Sequence, residues 1–149
     1  TALSTCSSAA SIPVNTECAK KIGVSEDIAS PTITLGTSFH KDGSIIGSVF
    51  KIMFLVYLFD MPVSGIKVLG VSLLATILVT AVPIGGGTIS EMLILKLMGF
   101  PVAALPILTI IATIIDAPAT LLNVTGDCAS SMLVSRMVDG KDSLKKELE

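Results

Sequence analysis

Three ionisable residues stand side by side at His40, Lys41 and Asp42, inside the stretch TITLGTSFHKDGSIIGSVF (residues 32–50). Their neighbours on both sides would suit a bilayer. Further along, Asp116 and Asp127 interrupt another apolar region. A charge at the centre of a membrane costs about 2.5–3.5 kcal/mol on the insertion scale. Groups that bear such a cost pair with one another, face a watery cavity or bind ions. A structural Lys41–Asp42 pair is the plainest reading of the first cluster. His40, the one histidine of the chain, is either a structural hydrogen-bonding group or a proton carrier near neutrality. It lacks the partners of a metal site. No nucleophile–base pair and no phosphate loop is legible, and GGG at residues 85–87 is too weak a motif alone. The sequence therefore points away from an enzyme.

The composition says what must hold these residues. Of 149 residues, 51% are hydrophobic and only 15% are charged, and the mean hydropathy is +0.84. Water-soluble domains usually carry about a quarter charged residues. An all-α integral membrane protein fits better. A net charge of −2 without a basic block argues against a nucleic-acid partner. Cys6, Cys18 and Cys128 have neither metal spacing nor an even-numbered disulfide framework, and read as small apolar packing residues. The opening TALSTCSSAASIPV has no basic segment and is not a signal peptide. The chain reads as the later part of a longer polypeptide.

Two runs have the roughly 20-residue length that spans a bilayer, and both are interrupted. VLGVSLLATILVTAVPIGGGTIS (residues 68–90) contains AVPIGGG (81–87), and LMGFPVAALPILTIIATII (97–115) carries Pro101 and Pro106, then meets Asp116 and Pro118. A third apolar run, 45–59, is broken only by Lys51, which snorkels or lines a cavity. HKDGS (40–44) thus falls in the middle of an interrupted helix. The map expected is a hairpin tip near 5–12 with a helix starting at Pro13 and ending near 22, and a broken helix over 26–60. A re-entrant hairpin follows over 64–98. A last helix covers 102–137, kinked or opened at 116–118, before a charged tail. Glu91 and Lys96 are expected to face protein, water or each other. Backbone that leaves helical geometry at membrane depth survives only inside protein or around water. Paired breaks of this kind mark a transporter's binding site, where helix N-termini meet anions and unwound carbonyls meet cations.

At TLGTSFHKDGS (34–44) and NVTGD (123–127) the chain resembles the dicarboxylate/amino acid:cation symporters, the glutamate-transporter-like family. The likeness runs from STCSSAASIPV through AVPIGGG to DAPATLLNVTGDCASS. It implies a C-terminal half of a transport domain. Residues 1–24 would end a first re-entrant hairpin, and 25–62 would form a broken transmembrane helix. Residues 63–99 would form a second re-entrant hairpin with its tip at 81–87, 100–138 a last transmembrane helix, and 139–149 a cytosolic tail. It further implies a multi-pass cell-membrane protein, a homotrimer built on an upstream scaffold, an amino-acid substrate, and sodium or protons as coupling ion with no other cofactor.

The resemblance also assigns roles. Ser7 and Ser8 would contact the substrate α-carboxylate, Asp116 its amino group, and Ser44 its side chain. Thr120 and Asn123 would line the site, and Val82, Pro83 and Gly85 would gate it. Gly36, Ser38, His40, Asp42, Asn123 and Asp127 would surround the cation. Members that carry acidic substrates have an arginine where this chain has Ala119, beside Pro118 in place of a usual glycine. Arginine grips a carboxylate with two hydrogen bonds; alanine cannot. A small or apolar neutral amino acid is therefore the expected substrate. The family's Asn-Met pair is replaced by His40-Lys41, so a sodium site built from hard oxygen ligands is expected to be altered, with Lys41 as a tethered cation. Two alternatives remain: Lys41 replaces the missing arginine and restores acidic amino acids or C4-dicarboxylates, or the chain belongs to a non-transporting membrane relative.

Overall fold

A computed structural model of the chain describes residues 1–80 and 86–140. Every regular element among them is helical: α1 (Ala2–Thr5), α2 (Ser8–Lys21), α3 (Glu26–Phe39), α4 (Asp42–Leu58), α5 (Gly65–Thr80), α6 (Gly86–Met98), a 3-10 turn (Val102–Ala104) and α7 (Leu105–Val138). The protein is thus all-α. Val82, Pro83 and Gly85, and the tail from residue 141, lie outside the described residues. Two compact units emerge: Thr1–Asp42 with the chain from Thr120 onward, and Gly43–Ala119.

In the first unit α1 ends at Cys6, which takes the left-handed conformation (φ 48°). Ser7 then caps α2, its Oγ accepting the Ala10 N–H at 3.2 Å. The helix expected to start at Pro13 therefore starts at Ser8. A cap that satisfies an orphan N–H is worth about 1 kcal/mol, enough to begin a helix in a run of small polar residues. Pro13 sits inside α2. At the other end Gly23 (φ 100°) closes a Schellman turn. The Val24 N–H reaches the Ala19 carbonyl and the Gly23 N–H the Lys20 carbonyl. This folds α3 back on α2 over a core of Ala19, Val24, Ala29 and Ile33, joined by Cys128 and Met132 of α7. Asn15 donates from Nδ2 to the Val124 carbonyl at 2.9 Å, pinning α2 to α7.

The second unit packs α4, α5, α6 and the first part of α7 around Ile52, Leu55, Val71, Ala75, Ile94, Leu95 and Leu108. Gly99 (φ 83°) ends α6. The Phe100 ring then lies 5.9 Å from that of Phe59 at the end of α4. α5 and α6 pack against each other on either side of residues 81–85. The Ser72 and Thr76 hydroxyls of α5 bond back to carbonyls one turn earlier, Ser72 to Val68 and Thr76 to Ser72, so these two buried hydroxyls are satisfied in apolar surroundings.

The opening expected at 116–118 does not occur: α7 runs as one 34-residue helix with Pro118 inside it. Proline removes one N–H donor, and the remaining ladder carries the helix through. With the turn before it, this element is long and apolar enough to cross a membrane.

Candidate functional site

The chain leaves helical geometry at His40 and Lys41. His40 caps α3 in an extended conformation (φ −84°, ψ 103°) and α4 resumes at Asp42. Within the first unit this break lies against the C-terminal part of α7. Asp127 is fully buried there. Its Oδ1 stands 3.3 Å from His40 Nδ1, and its Oδ2 accepts the Thr37 hydroxyl at 3.3 Å. His40 Nε2 meets Asp42 Oδ2 at 2.7 Å. The histidine therefore bridges two carboxylates, one buried and one exposed. The contact to Asp127 is electrostatic without hydrogen-bond geometry, and His40 Nδ1 and Asp127 Oδ1 are left as buried atoms without a hydrogen bond. Such atoms are uncommon in folded proteins and mark sites of function or of an added ligand.

Two glycines make the approach possible. A Cβ on Gly126 would overlap the His40 ring, and one on Gly36 would come 2.5 Å from Asp127 Oδ1. Lys41 turns back along α3 and donates to the Thr37 carbonyl at 2.7 Å. That carbonyl belongs to the last turn of α3, where helix carbonyls lack intrahelical donors. The Lys41 ammonium thus occupies that otherwise unpaired helix-end oxygen.

Of the residues singled out as cation ligands, Gly36, His40, Asp42 and Asp127 converge on this spot. Ser38 does not: it is exposed, and the α3 hydroxyl that reaches Asp127 is that of Thr37. Sequence reading missed Thr37 because its neighbour in space is 90 residues away. Asn123 and Thr120 are buried one and two turns before Asp127 on α7, and spacings of three and four keep these residues on one stripe. Asp116 is exposed one turn before Thr120, and Ala119 is half-buried. Ser7 is committed to capping α2, while Ser8 opens that helix. Ser44 is half-buried in the first turn of α4.

In the second unit Lys51 and Glu91 are both buried, at 8% and 2% exposure. Glu91 Oε2 accepts the Thr109 hydroxyl at 2.8 Å, so it turns inward, while Lys96 is exposed.

The description "Sodium:dicarboxylate symporter family" fits residues 1–137. The chain belongs to this family. Like the family's other members it is a membrane protein, and the family is one of transporters, not enzymes. Among curated relatives, glt-6 of Caenorhabditis elegans, by name a candidate sodium-dependent excitatory amino acid transporter, is 29% identical over the whole chain and 30% of its own length. The neutral amino acid transporter B(0) of Homo sapiens is 26% identical over the whole chain and 28% of its own length. The L-cystine uptake protein TcyP of Shouchella clausii is 28% identical over 91% of the chain and 30% of its own length. The chain spans about three tenths of these relatives. No solved structure matches.

Proposed function

We propose that the full-length protein is a secondary active symporter of small neutral amino acids, working by alternating access as a homotrimer in the cell membrane. Family membership supports transport, and the relatives above are named for amino acids. The observation that carries the substrate class is Ala119. It sits one position before the buried Thr120, where acid-transporting members of the resembling family have an arginine. Without a guanidinium a second carboxylate on the substrate has no bidentate partner. Asp116 would hold the amino group, and Ser8 with the N–H groups at the start of α2 that the Ser7 cap leaves unbonded would favour the α-carboxylate. Ser44, Thr120 and Asn123 would complete the lining, and Val82, Pro83 and Gly85 the gate.

Cation coupling runs through Asp127. A sodium ion prefers a shell of hard oxygens. Here an imidazole faces Asp127 and an ammonium faces the Thr37 carbonyl. At least one sodium site is thereby displaced by side chains, leaving coupling to fewer sodium ions or to protons. The engagement of Lys41 with Thr37 also disfavours Lys41 as a stand-in for the missing arginine.

The test is competition for uptake by the reconstituted full-length protein. L-alanine or L-serine blocking uptake, with L-aspartate and succinate ineffective, is expected. Inhibition by aspartate or succinate instead would overturn the neutral substrate class.

A further inference from the structure

In the first unit α2 and α7 are tied by a buried bond across 109 residues of sequence, from Asn15 Nδ2 to the Val124 carbonyl at 2.9 Å. The relative direction of the two helices follows from α3. Near its C-terminus α3 meets residues 126 and 127 of α7. Thr37 donates its hydroxyl to Asp127 there, and the His40 ring fills the place that a Gly126 side chain would take. Ala29 and Ile33, earlier in α3, share a core with Cys128 and Met132, later in α7. α3 therefore runs antiparallel to α7. The turn at Gly23 folds α3 back on α2, so α2 runs parallel to α7. From the Asn15–Val124 contact, four residues back along each helix lead to Ser11 and Thr120. Both are buried, at 1% and 5% exposure. The rise per residue is the same on both helices, so these two lie at about one level, with the start of α2 about one turn beyond it.

The buried residues of α2 are Ser11, Asn15 and Ala19. Ser11 spends its hydroxyl on the Ser7 carbonyl of its own helix at 2.9 Å. Small side chains make shallow ridges, and ridges seated in grooves are what stop one helix sliding along another. The Asn15 amide supplies the directional tie that such a face lacks. We propose that Asn15 is a positioning residue for substrate binding. Its bond to Val124 sets the height of α2 on α7, and so the height of the N–H groups at the start of α2 relative to Thr120. This rests on reading the start of α2 as the site of the α-carboxylate. A mid-helix carbonyl has a second lone pair for such a donor, so α7 keeps its own ladder while it holds α2. A hydrogen bond of this kind between membrane helices adds little stability; its value here is geometric. Hydrogen bonds weaken steeply away from their line, so an axial slip of α2 would cost an anion held at its start.

The test is L-alanine binding to the purified full-length protein, by calorimetry, for wild type, Asn15→Leu, Asn15→Gln and Asn15→Ser. Leucine keeps the bulk of the side chain and loses the donor. Asn15→Leu should weaken binding by about tenfold or more, as expected when a hydrogen bond to a charged group is lost. Asn15→Gln restores an amide donor and should bind more tightly than Asn15→Leu. Wild-type affinity in Asn15→Leu overturns the proposal, whatever happens to the unfolding midpoint, because a merely structural tie would move the midpoint and leave affinity alone. An Asn15→Gln variant that binds no better than Asn15→Leu overturns it too. If Asn15→Leu fails to fold, Asn15→Ser decides, since a serine hydroxyl is too short to reach Val124: wild-type affinity there overturns the proposal. Wild type that binds L-aspartate in place of L-alanine would sink the neutral substrate class alone. The variants are then read with L-aspartate, which carries the same α-carboxylate. Wild type that binds neither would sink the proposed function, and the positioning role with it.

Discussion

At Gly126 a single methyl group decides whether His40 can reach Asp127. A side chain there would occupy the space of the imidazole ring. Gly126→Ala should therefore expel His40 and destabilise the protein by about 1–3 kcal/mol, the usual cost of overpacking. Thermal unfolding of the purified protein measures this, and an unchanged midpoint would mean that His40 is not held where it is seen. Lys41 makes a different prediction. Its ammonium on the Thr37 carbonyl repels a free cation. Lys41→Met should strengthen the activation of uptake by sodium severalfold, and sodium dependence identical to wild type would argue against a tethered cation. The cluster was legible in part. His40, Asp42 and Asp127 stood out because charge in an apolar setting is costly. Thr37 and Asn15 did not, because an isolated threonine or asparagine says nothing about a partner 90 or 109 residues away.

At the scale of helices, caps and breaks carry the information. The break at residues 40–41 was visible because polar residues and a glycine interrupt two half-length apolar runs. The start of α2 was misplaced at Pro13, since small polar residues have no apolar periodicity and the Ser7 cap depends on one local hydrogen bond. Ser7→Ala should lower stability by about 1 kcal/mol, read as a lowered unfolding temperature. Ser8→Ala keeps its backbone N–H and the cap, and should leave that temperature unchanged. At Pro118, where a kink or an opening was expected, the helix is not opened. Proline marks a helix end in water, but within a long apolar helix one lost donor does not end the ladder. The pairing of Gly43 with Ala119 and Gly47 with Ile115 was likewise hidden. A four-residue glycine spacing permits close approach without naming the helix approached.

At the scale of the whole molecule, the apolar surface speaks for lipid or neighbouring protein. Tyr57, Ile66, Phe39 and Ile114 are each more than two-thirds exposed, a cost in water that a bilayer removes. The all-α class was legible from composition and interrupted runs, because these reflect the solvent around the chain. The division into two compact units was not, since it arises from contacts distant in sequence. The most direct measurement is L-alanine accumulation by full-length protein in sealed liposomes, with inward sodium and proton gradients imposed separately and then collapsed. Accumulation above the external concentration under at least one gradient, lost on collapse, is the expected result. Uptake that only equilibrates whichever gradient is present, or no uptake at all, would contradict a cation-driven symporter.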